Sequence, residues 1–242
     1  MPIIISDTFN RANNPTSLGT ADTGQVWSIG SGTATAFGIE SNNAVWTWDA
    51  ASGLAIAIVE SGLTDLVIKV TLVNPELVTA NFAIGSGVVF RYVDNDYFWQ
   101  LTYYKFSGLD ARVRLQRTYA GITSTAFDFP VIFFGPTDNM SVACCGEDFE
   151  IFVNDVPVGT YSDIGNPQNY GTMCGLTGNP GTYFVTFEKR FDDFLVTTND
   201  DCGPSVSPSQ TPSSSLSPSS SASASPEPPC TPPEGEALSC VT

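Results

Sequence analysis

The sequence predicts an all-β protein, an antiparallel sandwich followed by an extended Ser/Pro-rich stalk. Three observations carry that reading. Short apolar runs recur along residues 1–202, and no long window has the 3.6-residue period of an amphipathic helix. Gly, Asn, Asp and Pro punctuate these runs at intervals that suit hairpins and a Greek-key sandwich. After Cys202 the composition changes abruptly: from Gly203 to Pro229, 12 Ser and 7 Pro fill 19 of 27 positions with no aromatic residue, which leaves nothing to bury in a core.

The strands follow in order. The opening MPIIISDTF has no basic residue before its apolar run, which stops at Asp7, so Ile3 to Ile5 reads as a first strand and not as a secretory signal. Val26 to Ile29, Ala44 to Trp48 and Leu54 to Val59 are β-branched or aromatic runs between Gly-, Ser- and Asn-rich stretches. Leu66 to Val73 alternates strictly, and Gly87 to Val93 leads through the turn signal Asp94-Asn95-Asp96 into Tyr97 to Tyr104. Arg112 to Tyr119, Val131 to Phe134, Met140 to Cys144 and Phe149 to Val153 come next, the last closed by Asn154-Asp155. Tyr183 to Phe187, after Gly178-Asn179-Pro180-Gly181, and Phe191 to Val196 complete the set. The expected organisation is a sandwich over 1–202, a linker over 203–229 and a short Cys-containing segment over 230–242. No stretch approaches the apolar length of a membrane span.

Charge and composition exclude whole classes of function. Nine Lys and Arg against 25 Asp and Glu give 9 − 25 = −16, so the chain repels a nucleic-acid backbone. With no histidine, Ser-His-Asp and Cys-His catalysis and His-ligated metals are absent. The six cysteines lack C-x-x-C spacing. Cys144 and Cys145 are neighbours on a strand and face opposite ways, so at most one enters the core to meet Cys174. Cys230 and Cys240 close a small loop if the protein reaches an oxidising compartment; free thiols fit equally well.

Strand alternation assembles one candidate binding face. Tyr97, Trp99, Leu101 and Tyr103 read as core, leaving Phe98, Gln100, Thr102 and Tyr104 outside; Val113 and Leu115 face in, leaving Arg112, Arg114 and Gln116 outside. In the preceding strand Val88, Phe90 and Tyr92 are expected inside and Arg91 outside. Guanidinium forks, planar amides and aromatic rings combine directed hydrogen bonds with stacking, as recognition of a sugar or an acidic partner requires. A plain solvated sheet face is the competing reading. Asp192 and Asp193 on the last strand, with Asp7 on the first, form an oxygen-rich group that fits calcium; solvated edge carboxylates fit as well. No cofactor other than that calcium is expected. No carboxylate pair has the one-face placement that acid and base roles need: Glu147 and Glu150 point opposite ways.

Residues 4–197 resemble the concanavalin A-like, laminin G-like jelly-roll family. The resemblance rests on SDTFNRANNPTSLGTADTGQVWS at the start, GVVFRYVDNDYFWQL in the middle, the hairpin FEIFVNDVPVGTYSD, the Gly-rich GTMCGLTG and the closing RFDDFLV. It implies two curved antiparallel sheets, ligand binding by the concave sheet or its rim loops, and calcium elsewhere. The Glu-x-Asp-x-x-Glu of the family 16 glucanases is missing, so the resemblance implies no enzyme. The architecture also resembles modular proteins of bacteriophage particles, in which such domains are fused to Ser/Pro-rich stalks. The expectation is therefore a non-enzymatic virion structural or decoration protein on a head, tail or fibre surface. It would be exposed after host lysis, associated with other virion proteins or further copies of itself, and weakly adhesive to glycans. The alternative is a secreted or cell-surface bacterial carbohydrate-binding module, and a glycoside hydrolase ranks third.

Overall fold

The computed structural model describes residues 1–47, 53–73, 84–105, 111–129, 137–164, 170–179 and 188–202. Its compact unit is Met1–Ser205. The expected linker 203–229 and terminal segment 230–242, with Cys230 and Cys240, lie outside the described residues, as do the expected strands 131–134 and 183–187.

Fifteen strands are described: β1 (Ile3–Asp7), β2 (Ser28–Ser31), β3 (Phe37–Glu40), β4 (Asn43–Thr47), β5 (Ala55–Glu60), β6 (Leu66–Val73), β7 (Ile84–Asp94), β8 (Tyr97–Lys105), β9 (Ala111–Tyr119), β10 (Ile122–Phe129), β11 (Asn139–Cys145), β12 (Asp148–Val153), β13 (Val156–Ser162), β14 (Met173–Asn179) and β15 (Glu188–Thr198). Every pairing is antiparallel. One sheet runs β13-β12-β11-β6-β15-β4-β3, with β1 also on β15; the other runs β10-β9-β8-β7-β14-β5-β2. β15 is long enough to serve β4 with residues 188–191 and β1 with residues 194–197 along one edge, while β6 takes the other.

The sequence dictates this arrangement by period. In β6, Leu66, Ile68, Val70 and Leu72 are buried and the residues between them only partly so, the mark of a strand with one face on the core. Facing them from the other sheet are Ala55, Ala57, Val88, Phe90, Trp99, Leu101, Val113, Leu115 and Leu176 in one continuous core. The β12–β13 hairpin turns through Asn154 and Asp155, both at positive φ (51° and 63°), as a two-residue primed turn demands. Gly178 is required by packing, because a Cβ there would run into the Trp46 indole across the sandwich.

β5 departs from simple alternation: five of its six residues are buried. Ala55, Ala57 and Val59 enter the main core, whereas Ile56 and Ile58 form a second apolar cluster with Val89, Tyr92 and Phe98 on the outward face of the seven-stranded sheet. That face is therefore not a plain solvated surface.

One cysteine of the neighbouring pair enters the core and the other faces away, as strand alternation predicts. Cys144 and Cys174 do enter the core, as free thiols. Cys145, on the opposite face of β11, is disulfide-bonded to Cys202, with Cα atoms 5.3 Å apart.

Candidate functional site

The outward face of β8, β9 and β10 gathers most of the expected ligand-binding residues. Register fixes which side chains meet: Tyr104 lies opposite Arg112, Thr102 opposite Arg114, and Gln100 opposite Gln116, while Arg114 faces Asp128 on its other side. Arg114 grips Asp128 with a two-pronged fork, Nε donating to Oδ1 at 2.6 Å and Nη2 to Oδ2 at 3.0 Å. Arg112 reaches the same carboxylate at 3.5 Å. Two guanidinium groups thus converge on one carboxylate. The Arg114 guanidinium also lies 4.3 Å from the Tyr104 ring centroid, a cation-π distance. The hydrogen bond to Asp128 raises the Arg114 pKa further, and burial raises that of the Tyr104 phenol. Both groups stay in their usual protonation states at neutral pH.

Beside this charged cluster lies an amide ladder. Gln100 Nε2 donates to Gln116 Oε1 at 3.2 Å, and Thr177 Oγ1 of β14 donates to Gln100 Oε1 at 3.2 Å. Gln100 and Thr177 are buried, whereas Gln116 is only partly so. Next along β8, the Thr102 hydroxyl is buried without a hydrogen-bond partner among the described residues. The partly exposed part of the face is thus Tyr104, Arg112, Gln116 and Asp128, with Arg114 beside them.

Two expectations need correction. Phe98 is on the expected face but 2% exposed, packed against Tyr92 with ring centroids 5.9 Å apart, so it supports the face and is not open for stacking. Arg91 is not on the face at all. Register shifts interrupt the pairing of β7 with both β8 and β14 around residues 89–94, and Arg91 itself adopts φ = 51°. The bulge exchanges the faces of two neighbours: Tyr92 turns outward into the second apolar cluster and Arg91 turns inward. There Arg91 donates to Thr64 O, Gly146 O and Asp65 Oδ1 and lies over the Phe149 and Tyr170 rings. It is a structural hub.

The expected calcium group fares similarly. The Asp7 carboxylate is fully buried and accepts from Arg11 Nη2 at 2.6 Å, Trp27 Nε1 at 2.7 Å and Phe9 N at 2.9 Å. Its lone pairs are directed at protein donors. Asp192 and Asp193 do not complete a site with it, and no group of three or more His, Cys, Asp or Glu suited to a metal ion occurs among the described residues. Burial raises the Asp192 pKa; the Asp193 amide that donates to it opposes the rise, and the charges of Asp193 and Asp7 add to it.

Thr177 and Asp128 were not anticipated. Asp128 had a signal: flanked by Phe127 and Phe129, it must point away from at least one buried ring. A separate groove of ≈ 570 Å³ opens on the outward face of the eight-stranded sheet, among Ser141, Cys145, Glu150, Phe152, Asn199 and Cys202. It holds none of the expected ligand-binding side chains.

Neither a protein-family model nor a curated protein matches the chain. Solved structures do. The carbohydrate-binding module CBM66 from Bacillus subtilis aligns at a TM-score of 0.53 and 15% identity, over 71% of this chain and 95% of its own. A β-glucanase from Bacillus licheniformis aligns at 0.57 and 10%, over 80% of this chain and 97% of its own. The fold is a concanavalin A-like jelly roll. The GH43 protein BlXynB from Bacillus licheniformis contains the same arrangement within a longer chain, of which 39% is covered, at a TM-score of 0.59 and 12% identity. At such identities the likeness concerns the jelly roll alone, which hosts both binding modules and hydrolases. Function has to be argued from the side chains.

Proposed function

We propose that this jelly roll is a non-catalytic carbohydrate-binding module that holds a glycan on the outward face of β8–β10. The observation that carries the reading is the continuity of Tyr104, Arg112, Gln116 and Asp128 on one partly exposed patch. A ring for stacking, a guanidinium edge, an amide and a carboxylate spread over three adjacent strands supply both the apolar and the hydrogen-bonding surface that a saccharide chain requires. The Arg114–Asp128 fork and the Gln100–Gln116–Thr177 ladder hold these groups in place, which lowers the entropy lost on binding. The similarity to a carbohydrate-binding module supports the same reading.

Hydrolysis is less well supported, although two of the similar structures are a β-glucanase and a GH43 protein. Glycoside cleavage needs two positioned carboxyl groups. On the candidate face Asp128 of β10 is engaged by the Arg114 fork, and the described carboxylate of β7–β9, Asp94, sits at the end of β7 in the turn to β8, where it accepts from the Asp96 amide. The virion reading rests on the Ser/Pro-rich stretch 203–229 and on an architectural resemblance, and neither the similar structures nor the described residues add support to it.

The test is affinity electrophoresis of the full chain through gels containing soluble glucans, xylans, fructans or mucin. Retardation by at least one polysaccharide, lost in Tyr104→Ala with unchanged circular dichroism, is the expected result. Equal retardation of wild type and Tyr104→Ala would remove the face from the proposal.

A further inference from the structure

The C-terminal end of the sandwich is bonded to a strand that is not its neighbour. β15 pairs with β6 and β6 with β11, so the residues after Thr198 must pass the end of β6 to reach β11. They do so through three contacts. Asn199 Nδ2 donates to Cys144 O at 3.1 Å, Cys202 Sγ lies 3.3 Å from the same carbonyl, and Cys202 is disulfide-bonded to Cys145. The 3₁₀ turn Asp200–Cys202 is the only intervening element.

We infer that Cys145–Cys202 is a redox-cleavable staple that fastens the end of the last strand to β11, closed in oxidising surroundings and opened by an external thiol. Both bridge cysteines are partly exposed and line the ≈ 570 Å³ groove on the outward face of the eight-stranded sheet, so a small dithiol has access. The protein's own described thiols do not. Cys144 points from β11 to the opposite side, into the core, and Cys174 faces it from the other sheet; both are fully buried. Burial pushes the Cys144 thiol up to about 12 and raises that of Cys174 too, so neither supplies a thiolate at neutral pH.

Opening therefore follows intermolecular exchange. A reductant thiolate attacks one bridge sulfur and the other leaves as a thiolate that takes up a proton. The reductant's second thiol then displaces the mixed disulfide. Two electrons and two protons end on Cys145 and Cys202, and the dithiol leaves as its cyclic disulfide. With the staple closed, a pull on the chain beyond Cys202 is borne by β11, inside its sheet. With it open, the pull falls on the terminal pairs Thr197–Val67 and Thr198–Leu66 and peels β15 from its end. The inference is independent of the glycan reading.

The experiment uses the full chain, folded under oxidising conditions. Free thiols are blocked with iodoacetamide and the unreduced digest is mapped by mass spectrometry, which should yield a linked Cys145–Cys202 peptide. Thermal melting with and without dithiothreitol follows. Closing a loop of this length should raise Tm by about 10 °C, a shift lost on reduction. A Cys145→Ser/Cys202→Ser variant should melt at the reduced value under both conditions, and a Cys230→Ser/Cys240→Ser variant should keep the wild-type shift. Absence of the linked peptide, or a reductant shift that persists in Cys145→Ser/Cys202→Ser, would overturn the staple.

Discussion

Arg91 Cζ lies 3.8 Å from the ring centroid of Tyr170, on a side chain with no solvent exposure. The same guanidinium donates to Gly146 O at 2.6 Å in the β11–β12 turn, and to Thr64 O and Asp65 Oδ1, both at 3.1 Å, ahead of β6. One side chain from the seven-stranded sheet thus ties together two connections of the other. Truncation leaves two carbonyls without their side-chain donor and the Asp65 carboxylate with the Gly146 amide but no countercharge from Arg91, and breaking a buried ion pair from one side costs about 3 kcal/mol or more. Arg91→Leu should lower the urea midpoint of the full chain accordingly. Arg91→Lys should recover little, because an ammonium cannot span the three acceptors and lie flat on the ring. A loss below about 1 kcal/mol in Arg91→Leu would show that the hub is dispensable.

The glycan face separates into groups that touch ligand and groups that hold them. Tyr104 is partly exposed, and loss of its stacking surface should weaken glycan retention about tenfold, a change of ~1.4 kcal/mol, with little effect on Tm. Gln100 is 1% exposed and accepts from Thr177. Gln100→Leu should cost about 1–2 kcal/mol of stability through the stranded Thr177 hydroxyl. Paired melting curves and affinity electrophoresis distinguish the two. A Tyr104→Ala variant that melts early while still binding would invert the assignment.

Much of the fold was legible because most strands obey one period. Leu66 to Val73 was read with its observed limits, and the alternation of Tyr97 to Tyr104 and Arg112 to Tyr119 put Gln100, Tyr104, Arg112, Arg114 and Gln116 on one face, where they are. The errors came where a local device breaks the period. The bulge in β7 inverts Arg91 and Tyr92, and no residue type announces it, since a left-handed arginine is exceptional. β10 was missed because Ile122–Phe129 is an edge strand, largely exposed, whose Ser and Thr need no apolar alternation. Its hairpin turns at Ala120-Gly121, a weaker turn signal than Asn-Gly. The Cys145–Cys202 bridge joins residues 57 apart in sequence, and composition is silent on which of six cysteines meet.

Asp7 carries the first strand's junction with the loop that follows. Its carboxylate accepts from Arg11, Trp27 and the Phe9 amide at 0% exposure. Asp7→Asn removes the charge that pairs with Arg11 and offers the indole one acceptor instead of two, so it should destabilise the sandwich by about 3 kcal/mol. Adding EDTA to the wild type should leave its melting temperature unchanged, because those donors already occupy the carboxylate. A fall in Tm on chelation that added calcium reverses would place a cation at Asp7, Asp192 and Asp193 after all.

The buried thiols set a limit on alkaline stability. Cys144 is pushed up to about 12 by burial, with Arg91 opposing and Asp65 adding slightly, and Cys174 is raised for the same first reason. In the unfolded chain both ionise near pH 8.5. Above that pH the folded state binds more protons than the unfolded one, so stability, intact at neutral pH, declines as pH rises towards the folded values. The slope approaches ~1.4 kcal/mol per pH unit for each thiol between those limits. Urea midpoints of the full chain at pH 7, 9 and 10.5 should therefore fall, and Cys144→Ala/Cys174→Ala should flatten the decline. The same burial predicts that iodoacetamide at pH 8 leaves both thiols unmodified until denaturant is added. Rapid native alkylation of either would mean that the core between β11 and β14 opens far more readily than its packing implies.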